Sequence, residues 1–189
     1  MEKSKTDLRV IRTKKSIRDA FCDMIMEMDY PDITIKELTQ RAMINRNTFY
    51  LHYASIDELL EELQDEIAGK FIDQQVSYSS IEDIRRLIRV FFENASVQSP
   101  LHERLLCSGS YQFVYDRINA QIMGHRKLMN RGVFGMDESS ENIIFAFYGS
   151  ITATLYRQWV ADGRKLPLED VISLATKLIC EGMSSVVTH

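Results

Sequence analysis

At 189 residues and 45% hydrophobic composition, the chain can bury a sizeable core, either as one domain or as a small head on a larger body. Its formal charge of −4 is no general attraction for nucleic acid, and its three cysteines, Cys22, Cys107 and Cys180, are too few and too far apart for a disulfide scaffold or a metal site. They fit a reducing cytoplasm, and Cys107 reads as buried core rather than as a redox sensor. No apolar run approaches bilayer length and the charged N-terminus has no apolar signal-peptide core, so no membrane partner is expected. With three prolines, eight glycines and no alternating valine-rich runs, the expected fold class is all-α.

A first helix is expected over about residues 7 to 28, with Ile11, Ile17, Ala20, Phe21, Met24, Ile25 and Met28 on its apolar side. Residues 1 to 18 hold seven basic side chains (Lys3, Lys5, Arg9, Arg12, Lys14, Lys15 and Arg18) against Glu2 and Asp7, a local charge of +5 suited to tracking phosphates. Asp29-Tyr30-Pro31-Asp32 ends the helix. Thr34 then stands at an N-cap with Glu37 three residues on, the two halves of a capping box, while Ile33 and Leu38 occupy the positions of a hydrophobic staple. Leu38, Ala42, Ile44 and Phe49 are spaced so that two short helices pack across a turn, and Ser55 with Glu58 opens a further helix through a second capping box. This is the layout of a helix-turn-helix, whose second helix enters the major groove of DNA.

That second helix begins after Asn45, a good N-cap, and crowds Arg46, Asn47, Thr48, Tyr50, His52 and Tyr53 onto a very short segment. Arginine pairs bidentately with guanine edges and asparagine with adenine, and tyrosine and histidine reach phosphates or bases. The candidate DNA contacts are Thr34, Lys36, Asn45, Arg46, Asn47, Thr48, Tyr50, His52 and Tyr53. The stretch NRNTFYLHY followed by ASIDELL resembles the DNA-binding domain of the TetR family of bacterial transcription regulators, over roughly residues 8 to 70. Two positions depart from the pattern. Met43 stands where many helix-turn-helix proteins have glycine, and Ala54 and Ile56 flank Ser55 where a phosphate-gripping lysine is common.

A linking helix is expected from Ile56 to about 75, with Leu59, Leu60, Leu63, Ile67 and Phe71 at helical spacing and Glu58, Glu61, Glu62, Asp65 and Glu66 on a solvated face. Ser79 and Ser80 then cap a helix carrying Ile84, Leu87, Ile88, Phe91 and Phe92. Ser99-Pro100 opens a short helix with Leu101, Leu105 and Leu106. Another helix spans about 110 to 130 through Tyr111, Val114, Ile118, Ile122 and Met129, and Gly132 and Gly135 mark a loop before helices near 138 to 162 and 168 to 186. The expected division is a DNA-binding head over 1–55 and a helical effector-binding and dimerisation body over 56–189.

The run from Ile143 to Tyr148 is apolar on every face and must be covered all round. Ile144, Tyr148, Ile151, Leu155 and Trp159, with Val171, Leu174, Leu178 and Met183 of the last helix, could form a two-fold four-helix interface or a central core. The resemblance implies the interface, since TetR-like regulators dimerise through their last two long helices. It also implies a cytoplasmic, nucleoid-associated repressor, a homodimer on palindromic double-stranded DNA that is released by a small-molecule effector. Among the body's aromatics, Phe134 included, Phe91, Tyr111, Tyr115, Phe147 and Tyr148 are candidates to line the effector pocket. His102, Glu103 and His125 lack metal-ligand spacing, and no cofactor is expected. No phosphate loop, nucleophile elbow or zinc-protease pair points to an enzyme. The alternative is an all-helical adaptor or an activator whose body senses a protein partner.

Overall fold

The computed structural model describes residues 2–72, 80–97, 100–129 and 135–184. In chain order it forms α1 (Glu2–Glu27), a short turn of 3-10 helix at Tyr30–Asp32, α2 (Ile35–Arg41), α3 (Arg46–Tyr50), α4 (Ile56–Ile72), α5 (Ile81–Val97), α6 (Pro100–Cys107), a second 3-10 turn at Gly109–Tyr111, α7 (Gln112–Met129), α8 (Glu138–Ala161) and α9 (Leu168–Ser184). No strand occurs among the described residues, and none of their helices is long and apolar enough to cross a membrane. The side chains of Lys3, Lys5, Phe71, Met129 and Met183, and residues Ser79, Ser99, Gly132 and Phe134, lie outside what is described.

Helix α1 begins several residues earlier than its apolar pattern, and its first turns leave Leu8, Val10 and Ile11 exposed. Ile11 therefore does not join the apolar side expected for it. From Ile17 onward the pattern holds: Ile17, Phe21, Met24 and Ile25 are buried against Leu38, Ala42 and Phe49. Each large side chain buried this way contributes roughly 1.5–3 kcal/mol.

Two clusters make up the core. The first runs without a break from α1–α3 through Leu59, Leu60, Leu63 and Ile67 of α4 to Leu105 of α6 and Tyr111, Val114, Ile118 and Ile122. The second joins α5, α8 and α9. Helix α6 spans both, with Leu105 in one and the adjacent Leu106 in the other.

The acidic face of α4 is solvated, with Glu58, Glu62 and Asp65 exposed and Glu61 and Glu66 half-buried, but its carboxylates are also paired. Glu62 accepts from Lys14 at 2.7 Å, Glu61 from Arg117 at 2.8 Å and Asp65 from the Gln121 amide at 2.7 Å, while Glu66 binds Arg18 and, at 2.8 Å, Lys70. These carboxylates fasten α4 to α1 on one side and to α7 on the other. Lys14 and Arg18 are consequently turned toward α4, so the basic arm offers fewer free cations than its count implies.

Hydrogen bonding from Arg18 depresses the Glu66 carboxyl from its ordinary 4.5 to about 2, with Lys70 adding to the effect. A depressed folded value means a contribution that is complete above the unfolded value and lost as the pH falls through the folded one. Stability is expected to decline between about pH 4.5 and about pH 2 as this triad is dismantled. In acid titrations followed by circular dichroism, Glu66→Gln is expected to flatten that decline, and an unchanged acid transition would refute the assignment.

Candidate nucleic-acid interface and ligand cavity

The head is built by local chemistry. Thr34 Oγ1 accepts from the Glu37 N–H at 3.2 Å, as expected of the N-cap, while the Glu37 carboxylate engages Arg41 at 2.7 Å. In the second box the Ser55 hydroxyl accepts from Glu58 N–H at 3.2 Å and the Glu58 carboxylate accepts from Ala54 N–H at 2.5 Å. Met43, in the turn, has φ 54°. A left-handed conformation costs a non-glycine residue roughly 1–2 kcal/mol, which the packing of Leu38, Ala42 and Phe49 on either side offsets.

Asn45 caps α3, its side-chain oxygen accepting from Thr48 N–H at 2.7 Å and from the Thr48 hydroxyl at 3.0 Å. Phe49 points inward and is fully buried. Lys36, Arg46, Asn47 and Tyr50 are exposed, and His52 is half-buried beside them. Of the predicted contacts, Thr34, Asn45 and Thr48 have their polar side-chain atoms engaged in capping.

Tyr53 is a correction. Only 2% of it is exposed; it packs beside Phe49, with its hydroxyl donating to Glu62 at 3.0 Å and the Lys14 ammonium 5.0 Å from the centre of its ring. It buttresses the head and is not available to DNA. Two side chains absent from the predicted set are prominent on the same surface, Met43 at 90% exposure and Leu51 at 80%. Their signal in sequence is only an apolar residue in a turn or at a helix end.

The body contains a cavity of about 110 Å³ between α4, α5, α6, α7 and α8. Phe91, Tyr115 and Tyr148 line it as predicted. Tyr111 does not: it is fully buried and donates to the Met28 carbonyl at 2.8 Å, at the end of α1. Phe147 does not either, because it lies on the outer face of α8. His102, Asn119, Gly149 and Thr152 line the cavity and were missed, being scattered over three helices. No group of metal-ligating side chains assembles among the described residues. Cys22 and Cys107 are half-buried and Cys180 is buried, all as free thiols.

The predicted interface residues divide between two faces. Ile144, Tyr148, Trp159 and Val171 are buried in this chain's own second core, where the Trp159 indole donates to the Leu166 carbonyl at 2.9 Å. They are not free to meet a second chain. Ile151 and Leu155 are half-buried, and Leu174 and Leu178 are exposed. The outward stripe on α8 is one position away from the predicted one, at Ile143 and Phe147.

No protein-family model matches the chain. Over 75 residues it is 41% identical to an uncharacterised HTH-type transcriptional regulator, YxbF, of Bacillus subtilis, a match covering 39% of this chain and only 20% of that protein. In three dimensions it is similar to a TetR-family transcription regulator from a Shewanella species (TM-score 0.70, 17% identity, 90% of this chain and 97% of that one). It is also similar to a TetR regulator of Streptococcus agalactiae (0.65, 21% identity, 92% and 97%). A third similar structure is the regulator FadR of Bacillus subtilis in complex with stearoyl-CoA (0.58, 15% identity, 89% and 98%).

Proposed function

We propose that this chain, which has the all-helical fold of the TetR-family regulators, is a transcriptional repressor that binds a palindromic operator as a homodimer and is released by a small molecule. Residues 1–55 serve as the reading head and residues 56–189 as the sensing and pairing body. The observation that carries the reading is α3: a capped helix whose inner side is closed by Phe49 and whose outer side presents Arg46, Asn47 and Tyr50. One such helix reads only a few base pairs, so two related by a dyad are needed for a specific site. The cavity supports a small-molecule effector, as does the ligand named with one of the structural neighbours. It favours that over a protein-sensing activator or adaptor. The reading is of a cytoplasmic regulator and not an enzyme.

The test is binding to DNA flanking the protein's own gene, titrated at several salt concentrations. Specific binding that weakens steeply with salt is expected. The double variant Tyr50→Ala, His52→Ala is expected to lose about tenfold or more in affinity. Genome-wide selection of bound fragments covers a distant operator, and an empty selection would sink the reading.

A further inference from the structure

The cavity in the body has walls of one chemical kind. Val90, Leu105, Ile118, Ile122 and Met123 supply an apolar surface, and no lysine or arginine lines it. Its polar groups are almost all committed. Tyr115 donates to the Gly149 carbonyl at 3.3 Å, Thr152 donates to the Tyr148 carbonyl at 2.7 Å, and Glu103 is paired with Arg164. Burial, helped by the Lys70 ammonium and opposed more weakly by Glu66, holds the His102 imidazole below its ordinary pKa and so uncharged at neutral pH. Arg157 lies on the ring of Tyr115, 4.8 Å from its centre, and does not line the cavity.

Asn119 is different. It lines the cavity, and no hydrogen bond from the described residues reaches its amide. Its position depends on Gly149 of the facing helix, where a Cβ would fall 2.6 Å from Asn119 Nδ2 and 2.9 Å from Oδ1. A glycine at mid-helix, at a cost in helix propensity, leaves room for that amide. An amide offers one acceptor and two donors side by side, which matches another amide, a lactam or a carbonyl–N–H pair. A carboxylate bound here would lose its water with no cation on the cavity wall to replace it, since Arg157 is stacked on Tyr115 and donates to the Leu106 carbonyl, and this penalty outweighs a single amide hydrogen bond.

We propose that the cavity selects an uncharged, ring-sized lipophilic molecule bearing an amide-type group, with Asn119 as the specificity-determining residue and Gly149 as the residue that makes room for it. The volume sets an upper bound, since about 110 Å³ is less than the about 150 Å³ of an apolar cavity that accommodates benzene, so the walls must yield slightly for even a single substituted ring. This deepens the effector reading and rests on it, but it concerns ligand chemistry and is tested without DNA.

The experiment titrates the full chain with toluene, benzamide, benzoate and benzylammonium, following amide chemical shifts by NMR. Benzamide is expected to bind at least about tenfold more tightly than benzoate or benzylammonium, with shifts centred on the cavity residues. Asn119→Leu is expected to remove the advantage of benzamide over toluene while toluene still binds. Gly149→Ala, whose Cβ displaces the Asn119 amide, is expected to weaken benzamide by a similar factor while toluene still binds. Benzoate or benzylammonium binding as tightly as benzamide, an unchanged ranking in Asn119→Leu, or no probe in the cavity would each overturn the proposal. Benzamide that binds as expected but leaves operator affinity unchanged would count against the effector reading alone.

Discussion

Replacing Phe147 and Leu178 together by glutamate is expected to give a folded monomer that no longer holds its operator. The outer face of α8 exposes Ile143 (71%) and Phe147 (46%), and continues through the small exposed residues Ser150 and Thr154; α9 exposes Leu174 and Leu178 (55%). These positions follow a spacing of three and four residues, and Ile143 with Phe147 on α8 and Leu174 with Leu178 on α9 give each helix an exposed apolar pair, of the kind that isologous helix pairs bury. In a two-fold interface every substitution appears twice, so the double variant adds four carboxylates to the surface the two copies would bury. Neither side chain belongs to the buried core of its own chain, so far-UV circular dichroism is expected to be unchanged. Under the proposed two-fold reading, losing the second copy of α3 removes the avidity of two linked half-sites, a penalty of about 100-fold or more. Sedimentation equilibrium and operator titration check the two halves of this expectation. A variant that remains dimeric would mean the stripe meets something other than a second copy of the chain.

Of the two substituted positions, Leu178 is one the sequence favours and Phe147 is not, and the reason is physical. In the head, structure is set by neighbours in the chain: caps at Thr34, Asn45 and Ser55, a turn at Met43 and a staple at Ile33 and Leu38 all act within a few residues, so they are legible from sequence. Helix α8 is apolar nearly all round, and there periodicity cannot say which stripe meets the chain's own core. The choice is made by α5 and α9, whose side chains accommodate Ile144, Tyr148 and Trp159 and leave Ile143 and Phe147 outside. The acidic run on α4 is a similar case. Its partners Lys14, Arg18, Arg117 and Gln121 lie far away in sequence, so composition shows the solvated face but not the pairs made across it. Tyr53 belongs to a motif of polar and aromatic residues but is turned inward by its bond to Glu62, again a partner on another helix. The cavity is the least legible feature of all. Its key residue is an asparagine on α7, given its place by a glycine on α8.

The second large effect is expected at the junction of head and body. Removing Arg104 and the Tyr111 hydroxyl, as Arg104→Ala with Tyr111→Phe, should leave a protein that binds both operator and cavity ligand but no longer links them. Helix α1 ends with carbonyls that lack partners inside the helix. Arg104 of α6 donates to Ile25 O at 3.3 Å and Met28 O at 3.4 Å, and binds Asp29 at 3.1 Å. Tyr111 donates to Met28 O at 2.8 Å. The same short helix carries His102, Glu103, Leu105 and Leu106 on the cavity wall. A ligand that displaces α6 therefore acts on the end of the helix that supports α2 and α3. The direct cost in stability is about 2 kcal/mol, because these are exposed or half-buried contacts rather than core packing. The functional effect is larger in kind. Coupling between two sites is typically 1–3 kcal/mol, or 5- to 150-fold in affinity, and it is expected to fall to nothing in the double variant. Operator affinity measured with and without saturating cavity ligand gives the coupling directly. A ligand response of parental size in the double variant would show that the signal travels through α4 and its ion pairs with Lys14 and Arg18 instead.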